Sequence, residues 1–158
     1  MILKDYSQQD FNDYLNQSEN NYAKEIQKSR NISFKEALEI SNQEFQKTLP
    51  DGFNTKDNYF YKIVSNSQDF GMFWICTFLE HELKKVFIYD FEIKKQFRGQ
   101  GYSKKAISLI EDMARELSAK AIGLHVFFHN EIAYKLYKSL GYKETKTGKK
   151  SSEMEKYL

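Results

Sequence analysis

The hydrophobic period of this chain changes at Pro50, its only proline, and that switch limits the folds open to it. Upstream, Phe11, Tyr14, Leu15, Tyr22 and Ile26 recur at helical spacing from Gln8 to about Lys28, with charges and amides between them. Ser33-Phe34-Lys35-Glu36 then reads as a capping box, and Phe34, Leu38 and Phe45 carry the same period to a stop before Pro50-Asp51-Gly52. The spacing predicts an antiparallel helix pair, or a bent lid over whatever follows.

Downstream the pattern is strand-like. Tyr59 to Val64, Gly71 to Leu79 and Lys85 to Ile93 read as an antiparallel meander with short polar turns. Gly101 to Leu117 returns to helix, with Ala106, Leu109, Ile110, Met113 and Leu117 on one face. Ala121 to Phe128 has the apolar, β-rich character of a strand buried on both sides. Asn130 to Leu140 is a short helix ended by Gly141, and Tyr142 to Thr145 with Ser152 to Tyr157 form a closing hairpin around Gly148. The crossover from Lys85 through Phe127 makes its two strands parallel. The expected fold class is α/β: a mixed central sheet in which an antiparallel meander precedes a parallel β-α-β crossover, with helices on both faces. At 158 residues without repeat, linker or low-complexity tract, one domain over residues 1–158 is expected.

Composition narrows the function classes. With 41% apolar and 16% aromatic residues the chain is too hydrophobic for a disordered one. A formal net charge of +2 advertises no nucleic-acid or acidic-membrane surface, so neither is expected as a partner. The single Cys76 removes disulfide frameworks and multi-cysteine zinc patterns, and the three histidines form no His-Glu-x-x-His arrangement, so no metal is expected. The N-terminus turns polar at once and no apolar run approaches the roughly 20 residues that cross a membrane, which points to a cytoplasmic protein.

The segment richest in chemistry runs from Ile88 to Ser103. A strand enters a loop carrying Gly99 and Gly101, and the loop opens directly into a helix, where free N–H groups and the positive helix end converge. Such a place can bind phosphate. The dinucleotide fingerprint fails at Lys104 and no Gly-Lys-Ser/Thr follows, so a tight turn is an equally good account of Gly-x-Gly taken alone. A second segment, Asn130-x-x-Ala133-x-x-Leu136-Tyr137-x-x-x-Gly141-Tyr142, lies on the helix after the next strand. Together with Gln96-Phe97-Arg98-Gly99-Gln100-Gly101 it resembles the GNAT acyltransferase superfamily, in motif order and in the elements between the motifs.

That resemblance implies a pantetheine arm lying where the strand before the loop splays from its parallel neighbour, commonly at a bulge, along Phe91, Glu92 and Ile93. It implies a pyrophosphate held by amides of Arg98, Gly99, Gln100, Gly101, Tyr102 and Ser103. Arg98 and Lys104 are the side chains expected to add attraction for the phosphates. Asn130 and Ala133 fall at positions that contact the coenzyme arm, and Asn130 also suits a helix cap. The implied reaction is acetyl transfer from acetyl-coenzyme A to an amine by direct attack. Tyr137 stands at the general-acid position, its reference pKa of about 10 above the roughly 8.5 of a thiol.

A base must take the amine proton. Alternation places Ile88, Asp90 and Glu92 on one side of the strand and Tyr89, Phe91 and Ile93 on the other, which makes Glu92 the candidate base and Asp90 its neighbour. A salt-bridged pair that orders the loop is the alternative. His125 and His129 are expected to be structural, and Cys76 a small core residue. The acceptor, a small-molecule or peptide amine, would be gripped by the N-terminal helices and the strands around Trp74, with Tyr14, Tyr22 and Phe34 as lining or core. A coenzyme-binding module without turnover is the competing function, and the resemblance is compatible with a monomer or a homodimer.

Overall fold

Among the described residues, seven strands hydrogen-bond into one sheet in the order β1-β2-β3-β4-β5-β7-β6. The computed structural model describes residues 1–158, apart from the side chain of Ser29. The strands are β1 (Ile2–Asp5), β2 (Asn58–Ser65), β3 (Gln68–Glu80), β4 (Leu83–Ile93), β5 (Ala121–Phe127), β6 (Lys143–Thr147) and β7 (Ser151–Tyr157). The α-helices are α1 (Gln8–Ser29), α2 (Phe34–Thr48), α3 (Tyr102–Glu116) and α4 (Glu131–Ser139). Two compact units result: Met1–Asp5 with Tyr59–Leu158, and Tyr6–Asn58.

The sheet is mixed. β3 and β4 pair antiparallel, β4 and β5 pair parallel through the α3 crossover, and the β6–β7 hairpin adds β7 antiparallel to β5. This is the expected α/β arrangement. β1 was not anticipated; its four residues, Ile2, Leu3, Lys4 and Asp5, pair with Tyr61 to Val64 at the sheet edge, and so short a strand carries no readable period. Two-residue turns join β2 to β3 at Asn66–Ser67 and β3 to β4 at His81–Glu82. All four residues have positive φ, between 48° and 68°, as tight hairpin turns require.

One core lies between the sheet and α3 with α4. It contains Phe73, Ile75, Val86 and Ile88 from β3 and β4, Ile122, Leu124 and Val126 from β5, and Ile107, Ile110 and Ala114 from α3. Each isoleucine fully buried there contributes about 1.5–3 kcal/mol. The buried face of α3 is rotated from the expected one: Ile107 and Ala114 are inside with Ala106 and Ile110, while Leu109, Met113 and Leu117 sit half-buried at its flank. Two buried charges are paired. Lys85 lies between Glu80 and Glu155 at 2.5 and 2.8 Å, and Lys156 holds Glu111 at 2.8 Å.

The second unit carries the helix pair. Ala23, Ile26 and Ala37 form its core, and Ser41 Oγ donates to the Glu19 carbonyl at 2.7 Å, so the helices run antiparallel. Small residues at the contact let the backbones approach, which leaves Tyr22 and Phe34 43% and 37% exposed rather than central. The reciprocal capping box stands at Ser7 and Asp10, whereas Ser33 makes only the one-sided cap to the Glu36 amide.

Candidate active site

Pairing between β4 and β5 runs from Lys85–Ala121 to Ile88–Leu124 and stops there. At the same point β4 slips against β3: Ile75 faces Ile88 but Trp74 faces Asp90, leaving Tyr89 as an extra residue. A bulge of this kind bends its strand. Beyond it a cleft of about 500 Å³ opens between β4 and β5.

The bulge also overturns the expected alternation. Ile88, Phe91 and Ile93 share the core face, with Phe91 stacked on Phe73 at 4.4 Å. Tyr89 turns the other way and stacks on Trp74 at 4.6 Å. The side-chain period of two holds only while the register does.

Phe91, Glu92 and Ile93 line one wall of the cleft, together with Arg98, Gly99 and Ser103 at the loop end, Asn130 at the N-cap of α4, and Ala133 and Tyr137 on that helix. Gln100, Gly101, Tyr102 and Lys104 lie outside that lining, on the turn and the first turn of α3. Leu124 to Phe127 of β5 form the facing wall. Of these the sequence singles out only His125, as a structural residue near the site, and it assigns Leu124, Val126 and Phe127 no part there.

Gly99 and Gly101 have φ of 75° and 80°, and a Cβ on either would meet nothing within 4 Å. Their requirement is therefore conformational, with open space in front of the backbone. Gly101 is the N-cap of α3, no side chain caps the helix, and its first turn carries no acidic residue. Its first amides thus keep their hydrogen-bonding capacity and positive end for an anion. Beneath the loop Phe97 stacks on Phe70 at 4.1 Å, and Tyr102 meets Phe70 edge-on at 4.7 Å. Phe70 and Phe97, which the sequence did not single out, fix the loop by burial.

Arg98 reaches back along β4: Nε donates to the Ile93 carbonyl at 2.6 Å and Nη2 to the Glu92 carboxylate at 3.0 Å. Both side chains are more than half exposed, so the pair orders the loop more than it stabilises the fold. Lys104 is exposed on α3. Asp90 is half-buried at the bulge.

Tyr137 is 6% exposed and lines the cleft. Burial, with the charge of Asp90 added, pushes its phenol well above the ordinary value. Its backbone is fixed by the helix end: Tyr142 N–H donates to the Tyr137 carbonyl and Gly141 N–H to that of Lys138, each at 3.1 Å. The Tyr142 ring also packs on Tyr137 at 5.4 Å. This is the glycine-terminated motif that α4 was expected to carry, with Gly141 at φ 89°. At the other end Asn130 accepts from the Ala133 amide at 3.3 Å as the N-cap. His125 and His129 flank Phe127 as ring neighbours at 4.9 and 5.3 Å. Cys76 is half-buried beside Tyr89. Among the described residues no group of three or more His, Cys, Asp or Glu gathers as a metal site, and no helix is long and apolar enough to cross a membrane.

Residues 26–142 match the model of the acetyltransferase (GNAT) family. The chain is 36% identical over 144 residues to the uncharacterized N-acetyltransferase YdgE of Bacillus subtilis, covering 90% of this chain and 92% of that one. It is 34% identical over 146 residues to YycN, also an uncharacterized N-acetyltransferase of Bacillus subtilis, covering 92% and 94%. The crystal structure of YycN superposes with a TM-score of 0.81 at 33% identity over 93% of this chain and 94% of that one. The PaiA N-acetyltransferase of Thermoplasma acidophilum, solved with coenzyme A, shares the fold at a TM-score of 0.68 and 14% identity over 99% and 98%.

Proposed function

The chain belongs to the acetyltransferase (GNAT) family, and from that premise we propose that it is an N-acetyltransferase moving an acetyl group from acetyl-coenzyme A to a primary amine, with Tyr137 as general acid. The observation that carries the reading is the cleft: the β4–β5 ladder stops at Ile88–Leu124, with loop amides at one end of the opening and Tyr137 on its wall. The coenzyme supplies an activated thioester and a thiolate leaving group.

The residues fit that cosubstrate. Beyond Ile88 β4 has no β5 partner, and the backbone edge left there suits the amide-bearing arm, with the Ile93 carbonyl already accepting from Arg98 Nε. Arg98, Gly99, Gln100, Gly101, Tyr102 and Ser103 present the turn and the uncapped start of α3 to the pyrophosphate, with Lys104 adding charge. Asn130 and Ala133 bound the cleft on the α4 side. Arg98 serves two ends: it ties the loop to β4 through Glu92 and leaves its exposed edge toward phosphate.

Tyr137 holds a proton at its hydroxyl for the departing sulfur. A phenol raised by burial keeps that proton at neutral pH and gives it to the thiolate as the sulfur departs beside it. The acceptor ammonium gives its proton to a β4 carboxylate, Glu92 at the cleft wall or Asp90 beside Tyr137.

A thermal-shift titration with acetyl-coenzyme A and free coenzyme A, followed by thiol release against an amine panel, tests the proposal. Stabilisation with amine-dependent thiol release is expected. Stabilisation without release over a broad panel favours a binding module, and no stabilisation at saturating coenzyme overturns the reading of the cleft.

A further inference from the structure

The end of the cleft away from the glycine loop is closed by few groups. Ile88 and Leu124, 4% and 2% exposed, are the last paired residues of the parallel ladder and cannot part without breaking it. The next residue on β4, the bulged Tyr89, stands four residues before Ile93, roughly 13 Å along the strand. Its ring is braced: it stacks on Trp74 at 4.6 Å, Trp74 stacks on Phe60 at 5.4 Å, and Phe87 meets Tyr89 edge-on at 5.2 Å. Trp74 and Phe60 are 6% and 3% exposed, so the brace is part of the packed interior, while Tyr89 lines the cleft.

Resting on the proposed function, in which the coenzyme sulfur lies against the Tyr137 hydroxyl, we propose that Tyr89 sets the acyl-chain length and restricts the enzyme to acetyl and closely similar groups. Tyr89 and Tyr137 line the same cleft and Tyr89 directly follows the last pair of the ladder, so a chain growing from the thioester toward that end runs against the Ile88–Leu124 pair or this ring. An acetyl group adds one methyl beyond the carbonyl. Each further methylene is laid against the Tyr89 ring, itself 49% exposed but held on Trp74, or against the Ile88–Leu124 pair. Nothing in the sequence pattern marks Tyr89 for this role, because the bulge that turns it toward Trp74 also breaks the alternation.

The test needs no acceptor. Binding of coenzyme A, acetyl-, propionyl- and butyryl-coenzyme A to the full chain is measured by calorimetry for wild type, Tyr89→Phe and Tyr89→Ala, with circular dichroism melts reporting folding. Wild type is expected to bind coenzyme A and acetyl-coenzyme A similarly and butyryl-coenzyme A at least about tenfold more weakly. Tyr89→Phe keeps the ring and the discrimination, whereas Tyr89→Ala brings butyryl-coenzyme A to within about threefold of acetyl-coenzyme A. Equal binding of all chain lengths by wild type overturns the role of Tyr89 even if the alanine variant does not fold. A folded Tyr89→Ala that discriminates like wild type overturns it too. Wild type that binds none of the four species contradicts the coenzyme reading of the cleft, and this inference with it.

Discussion

A Cβ atom on Gly71 would lie 1.9 Å from the carbonyl oxygen of Glu92. The obstacle is backbone, which cannot swing aside as a side chain can. Gly71 faces Ile93 and Met72 faces Glu92, so β3 holds the cleft-forming edge of β4 at a distance that only glycine allows.

Gly71→Ala should therefore destabilise the fold by roughly 1–3 kcal/mol, the range of a forced overpacking. Because the strand that shifts is the cleft wall, coenzyme binding should weaken as well. Denaturant titration and calorimetry with acetyl-coenzyme A measure the two effects; a variant matching wild type in both would show that the close approach has no functional weight.

Tyr137→Phe removes the proposed proton donor and keeps the ring packed on Tyr142. Amine-dependent thiol release should fall by roughly 10²-fold or more while coenzyme A affinity stays within about threefold. Turnover at the wild-type rate would assign Tyr137 to packing alone.

The pH profile follows from the direction of the Tyr137 shift. Its phenol is raised above the ordinary value of 10.0, so the folded protein holds this proton more tightly than the unfolded chain does. The neutral acid is therefore present throughout the range below that value and is lost only above it. Turnover should climb from neutrality as the acceptor ammonium loses its proton, with no descending limb below about pH 10. A descending limb between about pH 7 and 9 would contradict Tyr137 as the acid.

The two β4 carboxylates separate by substitution. Asp90→Asn or Glu92→Gln should lower turnover at least about tenfold near neutral pH, with the deficit shrinking as the acceptor amine loses its proton at higher pH, identifying the base. Glu92→Gln should in addition weaken coenzyme binding, since it releases the Arg98 guanidinium that ties the loop to β4. If both variants turn over like wild type, neither carboxylate takes the proton.

Most of the fold was legible because the periods are long and the punctuation is local. Gly141 ended α4 where expected, and the Gly99–Gly101 turn opened α3 where expected, since each needs a left-handed residue that only a few residue types supply. What stayed hidden depended on partners distant in sequence. The Tyr89 bulge carries no glycine or proline and is defined by the register against Trp74. Gly71 reads as an ordinary weak strand residue until the Glu92 carbonyl is placed beside it. β1 is an edge strand of only four residues, too short to show a period, and Ile107 displaced Leu109 from the buried face of α3 because sheet packing, not helix spacing, chooses the centre of an apolar stripe.

Amide chemical shifts during a titration with acetyl-coenzyme A test the central claim most directly. The account predicts the largest perturbations at Gly99 to Ser103 and at Phe91 to Ile93, with smaller ones along Leu124 to Phe127. Saturating coenzyme that leaves those amides unmoved, or that perturbs only residues outside the cleft, would contradict it.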